Sequence, residues 1–162
     1  MTRLPPNLEF KSPQTLLATW FGCGLMRPAP GTWGSLGALA FGMIFLVLGG
    51  STLLGLAAII LFPLGILATK AVLAGSGGDS DPQIVVVDEV VGQWIALIPA
   101  ALSPVSVLLA FALFRAFDAL KPWPVSYFDR KVPGAWGVML DDVAAVILAA
   151  LCLWGLQLWW AH

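Results

Sequence analysis

Charged side chains are absent from residues 28–69, 90–114 and 143–160. The first run is too long for one membrane helix and is broken by Gly49-Gly50-Ser51. It predicts two spans, 34–48 and 52–69, joined by a tight hairpin, each near the lower limit of about 17 residues for crossing a hydrocarbon core. In the second run Pro99 and Pro104 bracket a short turn. Proline removes a backbone donor and disfavours helix in the residue before it, so helices are expected near 85–100 and 104–120. Both are short for a bilayer and are read as tilted or re-entrant. The last run predicts one more span over 143–160.

Composition agrees with a bilayer as solvent. The 162 residues are 59% hydrophobic and 10% charged, against about 25% charged in soluble domains. The mean hydropathy is +0.91. The expected fold class is therefore an all-α integral membrane protein of about four to five short transmembrane or re-entrant helices. Residues 1–27 form an N-terminal cytoplasmic or interfacial segment, and 28–162 a single helical membrane domain. The eight tryptophans suit membrane interfaces. A net charge of −1 gives no electrostatic footprint for nucleic acid. Cys23 and Cys152 fall at opposite ends of this topology, so no disulfide is expected.

With the segments so drawn, all eight Lys and Arg and all nine Asp and Glu fall on one side of the membrane. The positive-inside rule makes that side cytoplasmic. Polar cytoplasmic loops alone would explain the basic residues. They explain less well why the acids share the same face, which points to a polar site assembled there.

Four polar patches can contribute to it. In the first, Arg27-Pro-Ala-Pro-Gly-Thr-Trp-Gly-Ser35, Thr32 or Ser35 is expected to cap the first membrane helix. Free N–H groups at that helix start, with Arg27, suit phosphate. The plain alternative is an ordinary N-cap. In the second, Asp88 and Glu89 open an apolar segment. Adjacent acids project in different directions on a helix, so at most one is expected to face a site. Their hard oxygens suit Mg2+, although favourable placement at a helix N-terminus would explain them too. In the third, Arg115, Asp118 and Lys121 recur every three residues before Pro122 and share one helical face. They read as a phosphate-holding row beside a carboxylate, or as a salt-bridged helix end. In the fourth, Asp141 and Asp142 open the last apolar helix. Together the acids form a convergent cluster of the kind that holds a metal for phosphoryl transfer. Asp129, Arg130 and Lys131 are expected to be solvated loop residues.

Other phosphatase chemistries lack their residues. The single histidine, His162, is terminal and on the opposite side. Cys23 and Arg27 make a poor phosphate loop, and Cys23 is better read as a small apolar residue. Asp79-Ser-Asp81-Pro lacks the soluble α/β domain that an aspartyl-phosphate mechanism needs. There is no GxxxxGK[ST] loop, no HExxH and no His/Cys cluster for zinc. Carboxylate-bound metal remains, with either water or a carboxylate as nucleophile.

Four blocks, 28–35, 81–92, 114–124 and 137–145, occur in the order seen in the phosphatidylglycerophosphatase A family, which the chain resembles. Val146 stands where that family often has glycine, a difference in helix packing. The resemblance implies a Mg2+-dependent bacterial inner-membrane enzyme that converts phosphatidylglycerophosphate, a phospholipid, to phosphatidylglycerol and inorganic phosphate. It points to Asp81, Asp88, Glu89, Arg115, Asp118, Lys121, Asp141 and Asp142, with Thr32 and Ser35 in the glycine loop. On these positions the catalytic acids are expected to be Asp88, Glu89, Asp118, Asp141 and Asp142. The expected metal ligands are Asp81, Glu89, Asp118, Asp141 and Asp142. Substrate contacts are expected from Arg27, Thr32, Ser35, Arg115 and Lys121. The alternatives are a small transporter or ion-binding protein, or a membrane scaffold. Transport is disfavoured because the acids flank the spans rather than lying at depth.

Overall fold

The computed structural model describes residues 4–78, 82–100 and 102–160. All regular structure among them is helical: α1 (Pro13–Ala18), a 3-10 turn (Cys23–Leu25), α2 (Pro30–Gly75), α3 (Val87–Leu97), α4 (Pro104–Leu120), α5 (Val125–Lys131) and α6 (Gly134–Trp160). Two of these, α2 and α6, are long and apolar enough to cross a membrane. Their outward side chains, such as Val47, Ile59, Leu67 and Leu151, are exposed and apolar, as expected of a membrane-associated fold.

α2 is a hairpin. Its backbone leaves helical geometry at Gly49 (φ −152°, ψ 16°) and Gly50 (φ 64°, ψ −164°), where only glycine is unstrained at positive φ. Contacts along α3 show the reversal. A Cβ added to Gly34 would lie 2.7 Å from Val86 Cβ, and one on Gly42 would lie 2.8 Å from Leu97 Cδ1. On the returning leg Gly55 approaches Ile98, and Gly65 approaches Val87 and Met139. The two legs therefore run oppositely past α3, and small residues let the backbones close in. Trp94 locks the contact by donating from Nε1 to Ala38 O at 2.9 Å.

α3 is the centre of the bundle, packed on α2, α4 and α6. Val87, Val90, Val91, Gly92, Gln93, Trp94, Ala96 and Leu97 are all buried. Its 11 residues span roughly 16 Å, about half a hydrocarbon core. α4 begins at Pro104, with Ser103 Oγ accepting from Ser106 N–H at 3.2 Å. It ends at Lys121, which is left-handed (φ 44°, ψ 53°).

Several boundaries differ from the sequence reading. The turn at Gly49-Gly50 is where the charge-free run placed it, but both hairpin legs are longer: the first starts at Pro30 and the second reaches Gly75. Neither Thr32 nor Ser35 caps α2. The cap position is Ala29, with no side-chain hydrogen bond, and Pro30 supplies the helix start. The stretch 125–131, expected as loop, is helical. α6 begins at Gly134 rather than 143, so Asp141 and Asp142 lie two turns inside a helix instead of opening it. The N-terminal segment packs on the start of α3, where Val86 N–H donates to Ala18 O at 2.8 Å. Both cysteines are free.

The contacts fix one end of the bundle. The α2 start, the α3 start, the α4 end and the first turns of α6 meet there, whereas the Gly49-Gly50 turn and Ile98 lie at the other.

Candidate active site

At the charged end a cavity of about 350 Å³ opens between four elements. The loop and helix start Pro28–Gly31 form one wall. Asp88 and Glu89 come from the first turn of α3, Arg115 and Asp118 from the last turns of α4. Lys121 follows the α4 end, and Val138, Asp141 and Asp142 come from α6. Asp88, Asp141 and Asp142 are buried, at 9%, 7% and 3% exposed. Both Asp88 and Glu89 line the cavity, against the expectation that one would turn away. The reason is their place at a helix start, where α4 and α6 approach from different sides and a 100° separation between neighbours still faces the same opening.

Three of the cavity's acids are engaged by cations. Arg115 Nη1 lies 2.5 Å from Asp118 Oδ2 and 3.7 Å from Glu89 Oε1. Lys121 Nζ donates to Asp141 Oδ2 at 2.8 Å and also to Asp129 Oδ1. The left-handed residue at the α4 end thus ties α5 to α6. Burial alone would lower the Lys121 pKa. Its bonds to Asp129 and Asp141 outweigh that and hold it above the ordinary lysine range, so it is charged throughout the neutral region. Asp141 Oδ1 accepts from Asp142 N–H at 2.9 Å, which satisfies the second oxygen of that carboxylate.

Other oxygens of the cluster behave differently. Asp88 Oδ1, Glu89 Oε2 and Asp142 Oδ2 are buried and have no hydrogen-bond partner. Asp88, Glu89 and Asp142 can offer one oxygen each with all three within 4.8 Å of one another. Buried unpaired carboxylate oxygens at this separation repel strongly and are expensive without a cation among them. A divalent metal bound by hard oxygen donors fits them.

Gly31 keeps the opening clear. A Cβ there would overlap Glu89 Oε1 and come within 3.1 Å of Arg115 Nη1. It stands in the Pro-Gly-Thr stretch singled out from the sequence, where the expected contacts are Thr32 and Ser35. Neither of those two lines the cavity, and Ser35 Oγ donates instead to Gly31 O at 3.0 Å. Arg27 is exposed and precedes the wall residue Pro28 without itself lining the cavity. Asp81, expected as a metal ligand, lies outside the described residues. Asp129 is exposed, as expected, but it lies on α5 rather than in a loop and is paired with Lys121, because α5 folds back beside the α4 end. Sequence spacing carries no signal for that pair, since the chain reverses between its members.

The model of the phosphatidylglycerophosphatase A family matches residues 16–157. The chain is 43% identical over 156 residues to the phosphatidylglycerophosphatase A of Haemophilus influenzae, covering 94% of each. It is 35% identical over 145 residues to that of Escherichia coli, covering 89% of this chain and 83% of the relative. A Bacteroides thetaiotaomicron protein provisionally named a phosphatidylinositol-3-phosphatase is 37% identical over 149 residues, covering 86% of this chain and 92% of the relative. No solved structure matches the chain. The match runs through all four elements that wall the cavity, and the chain belongs to the phosphatidylglycerophosphatase A family.

Proposed function

We propose that the protein hydrolyses the terminal phosphate monoester of phosphatidylglycerophosphate at a Mg2+ ion held by Asp88, Glu89 and Asp142, on the cytoplasmic face of a bacterial inner membrane. Family membership supplies the phosphatase activity and its place in phospholipid synthesis. The observation that carries the metal assignment is the trio of buried, unpartnered oxygens on those three acids. Bound there, Mg2+ would neutralise charge on the phosphate oxygens and lower the pKa of a coordinated water.

The chain's own groups divide the remaining work. Arg115 and Lys121 meet the outer phosphate oxygens, where negative charge must be balanced in the transition state. Asp118 and Asp141 keep those cations in position, and neither has a buried oxygen left without a partner, which is why they are assigned to positioning rather than to the metal, in contrast to the ligand set expected from sequence. The α2 start at Pro30 and Gly31 walls the site and offers helix-start N–H groups to an anion. α4 and the α2 hairpin are read as further membrane-crossing segments, with the Gly49-Gly50 turn outside and the charged end inside.

Three measurements test this reading. Phosphate release from phosphatidylglycerophosphate in detergent is expected to stop with EDTA and return with Mg2+, and to exceed release from phosphatidylinositol 3-phosphate. Full activity after metal removal would refute the metal site, and preference for the inositol lipid would refute the substrate. Among variants, Asp118→Asn should lower kcat by about a hundred- to a thousandfold, the usual effect of losing a positioned electrostatic group. Asp129→Asn loses a pair whose side chains are both 32% exposed. Such a pair is worth at most ~1 kcal/mol, so its kcat should fall by no more than about fivefold. Equal losses in the two variants would contradict the division of roles. For topology, cysteines replacing Ser51 and Arg130 should react with a membrane-impermeant label from opposite sides, Arg130 from the cytoplasm; labelling from one side would break the arrangement.

A further inference from the structure

A second cavity of about 340 Å³ adjoins the first. Val138 and Asp141 line both. Its own wall is the end of α5 and the start of α6, and it carries Asp129, Arg130 and Lys131. The two acids of this wall, Asp129 and Asp141, are both turned onto Lys121 Nζ. Lys121 therefore stands at the partition between the cavities and neutralises much of the acidic charge there. Arg130 and Lys131 are exposed and have no ion pair among the described residues. The first cavity holds five carboxylates against two cations, so it needs added positive charge before it can take a phosphate. The second is lined by two acids, Asp129 and Asp141, both held by Lys121 of the first cavity, and by two bases, Arg130 and Lys131, so its share of positive charge is larger.

Position decides which phosphate the second cavity suits. It extends from Asp141, which it shares with the first cavity, to Gly134 at the tip of α6, seven residues back along the helix. That is a displacement of roughly 10 Å away from the apolar body of α6. The phosphodiester of a lipid substrate is tethered on the bilayer side of the reacting monoester. Released inorganic phosphate has no tether and must leave away from the bilayer. From these positions we infer that the annex lined by Arg130 and Lys131 is an anion site for the inorganic phosphate product, next to the catalytic cavity and on its route to water. The inference rests on the phosphatase reading above. It requires no new bond: hydrolysis adds water across the ester, and the freed phosphate passes from Arg115 to Arg130 and Lys131.

The test is binding of inorganic phosphate to detergent-solubilised protein stripped of divalent metal, followed by phosphorus NMR. Without metal the carboxylate-rich cavity repels phosphate, so the annex is read alone. Wild type should bind phosphate, and the double variant Arg130→Gln/Lys131→Gln should bind it about tenfold more weakly or worse. In turnover assays with Mg2+, the same variant should be inhibited by inorganic phosphate about tenfold less readily. A melting temperature matching wild type, and retained binding in Arg130→Lys, would separate lost charge from lost fold. Absence of phosphate binding to metal-free wild type, or equal binding by the double variant, would overturn the inference. So would a rise in the lipid KM with phosphate inhibition unchanged, which would assign the annex to the lipid's own diester. An inactive wild type would instead count against the phosphatase reading, and the metal-free binding would still decide the annex.

Discussion

Five carboxylates brought together at one end of an apolar helical bundle set the terms for everything else in this protein. Like charges at close range in a poorly polarisable setting cannot be left uncompensated. The fold compensates three of them internally, through Arg115 on Asp118 and more distantly on Glu89, and through Lys121 on Asp141. It leaves Asp88, Glu89 and Asp142 each with a buried oxygen that has no partner, on three residues able to bring one oxygen apiece within 4.8 Å of one another. An arrangement that costs stability in isolation is what a metal site requires, because the affinity for the ion comes from the same repulsion that the ion relieves.

The bundle is built to hold that end rigid. α3 is too short to cross a bilayer alone and instead is enclosed by the α2 hairpin, α4 and α6. Glycines on both hairpin legs let the backbones approach it, and the Trp94 bond to Ala38 O fixes its height. Its first turn, which carries Asp88 and Glu89, is thereby set against α4 and α6 with little freedom to retreat from the charges opposite. At the α4 end the chain turns through left-handed Lys121, and α5 returns Asp129 to the same ammonium group. The cations that would meet a phosphate are thus held by residues from three helices, so their positions do not depend on substrate.

Much of this was legible in the sequence because burying charge in lipid is penalised residue by residue. The charge-free runs therefore located the hairpin, its turn at Gly49-Gly50 and the apolar length of α6. The spacing of Arg115, Asp118 and Lys121 before Pro122 marked a charged helix end, since proline and left-handed residues stop helices through local geometry. Features set by tertiary packing were not legible. α5 is too short to declare itself by periodicity, and its helix hides the Lys121–Asp129 pair. The start of α6 at Gly134 is hidden because the Asp141-Asp142 pair separates its first two turns from the charge-free run that follows. Ser35 looked like a cap or phosphate contact, yet its hydroxyl turns back onto its own helix, while Gly31, which has no side chain to notice, keeps the cavity open.

Binding of Mn2+, standing in for Mg2+, can be followed by electron paramagnetic resonance in detergent without any turnover, and it tests the division among the acids most directly. Asp88→Asn, Glu89→Gln and Asp142→Asn should each weaken binding by about tenfold or more, while Asp118→Asn and Asp141→Asn should retain it to within about fivefold. Loss of the ion in Asp118→Asn or Asp141→Asn, with full binding in Asp88→Asn, would contradict the account.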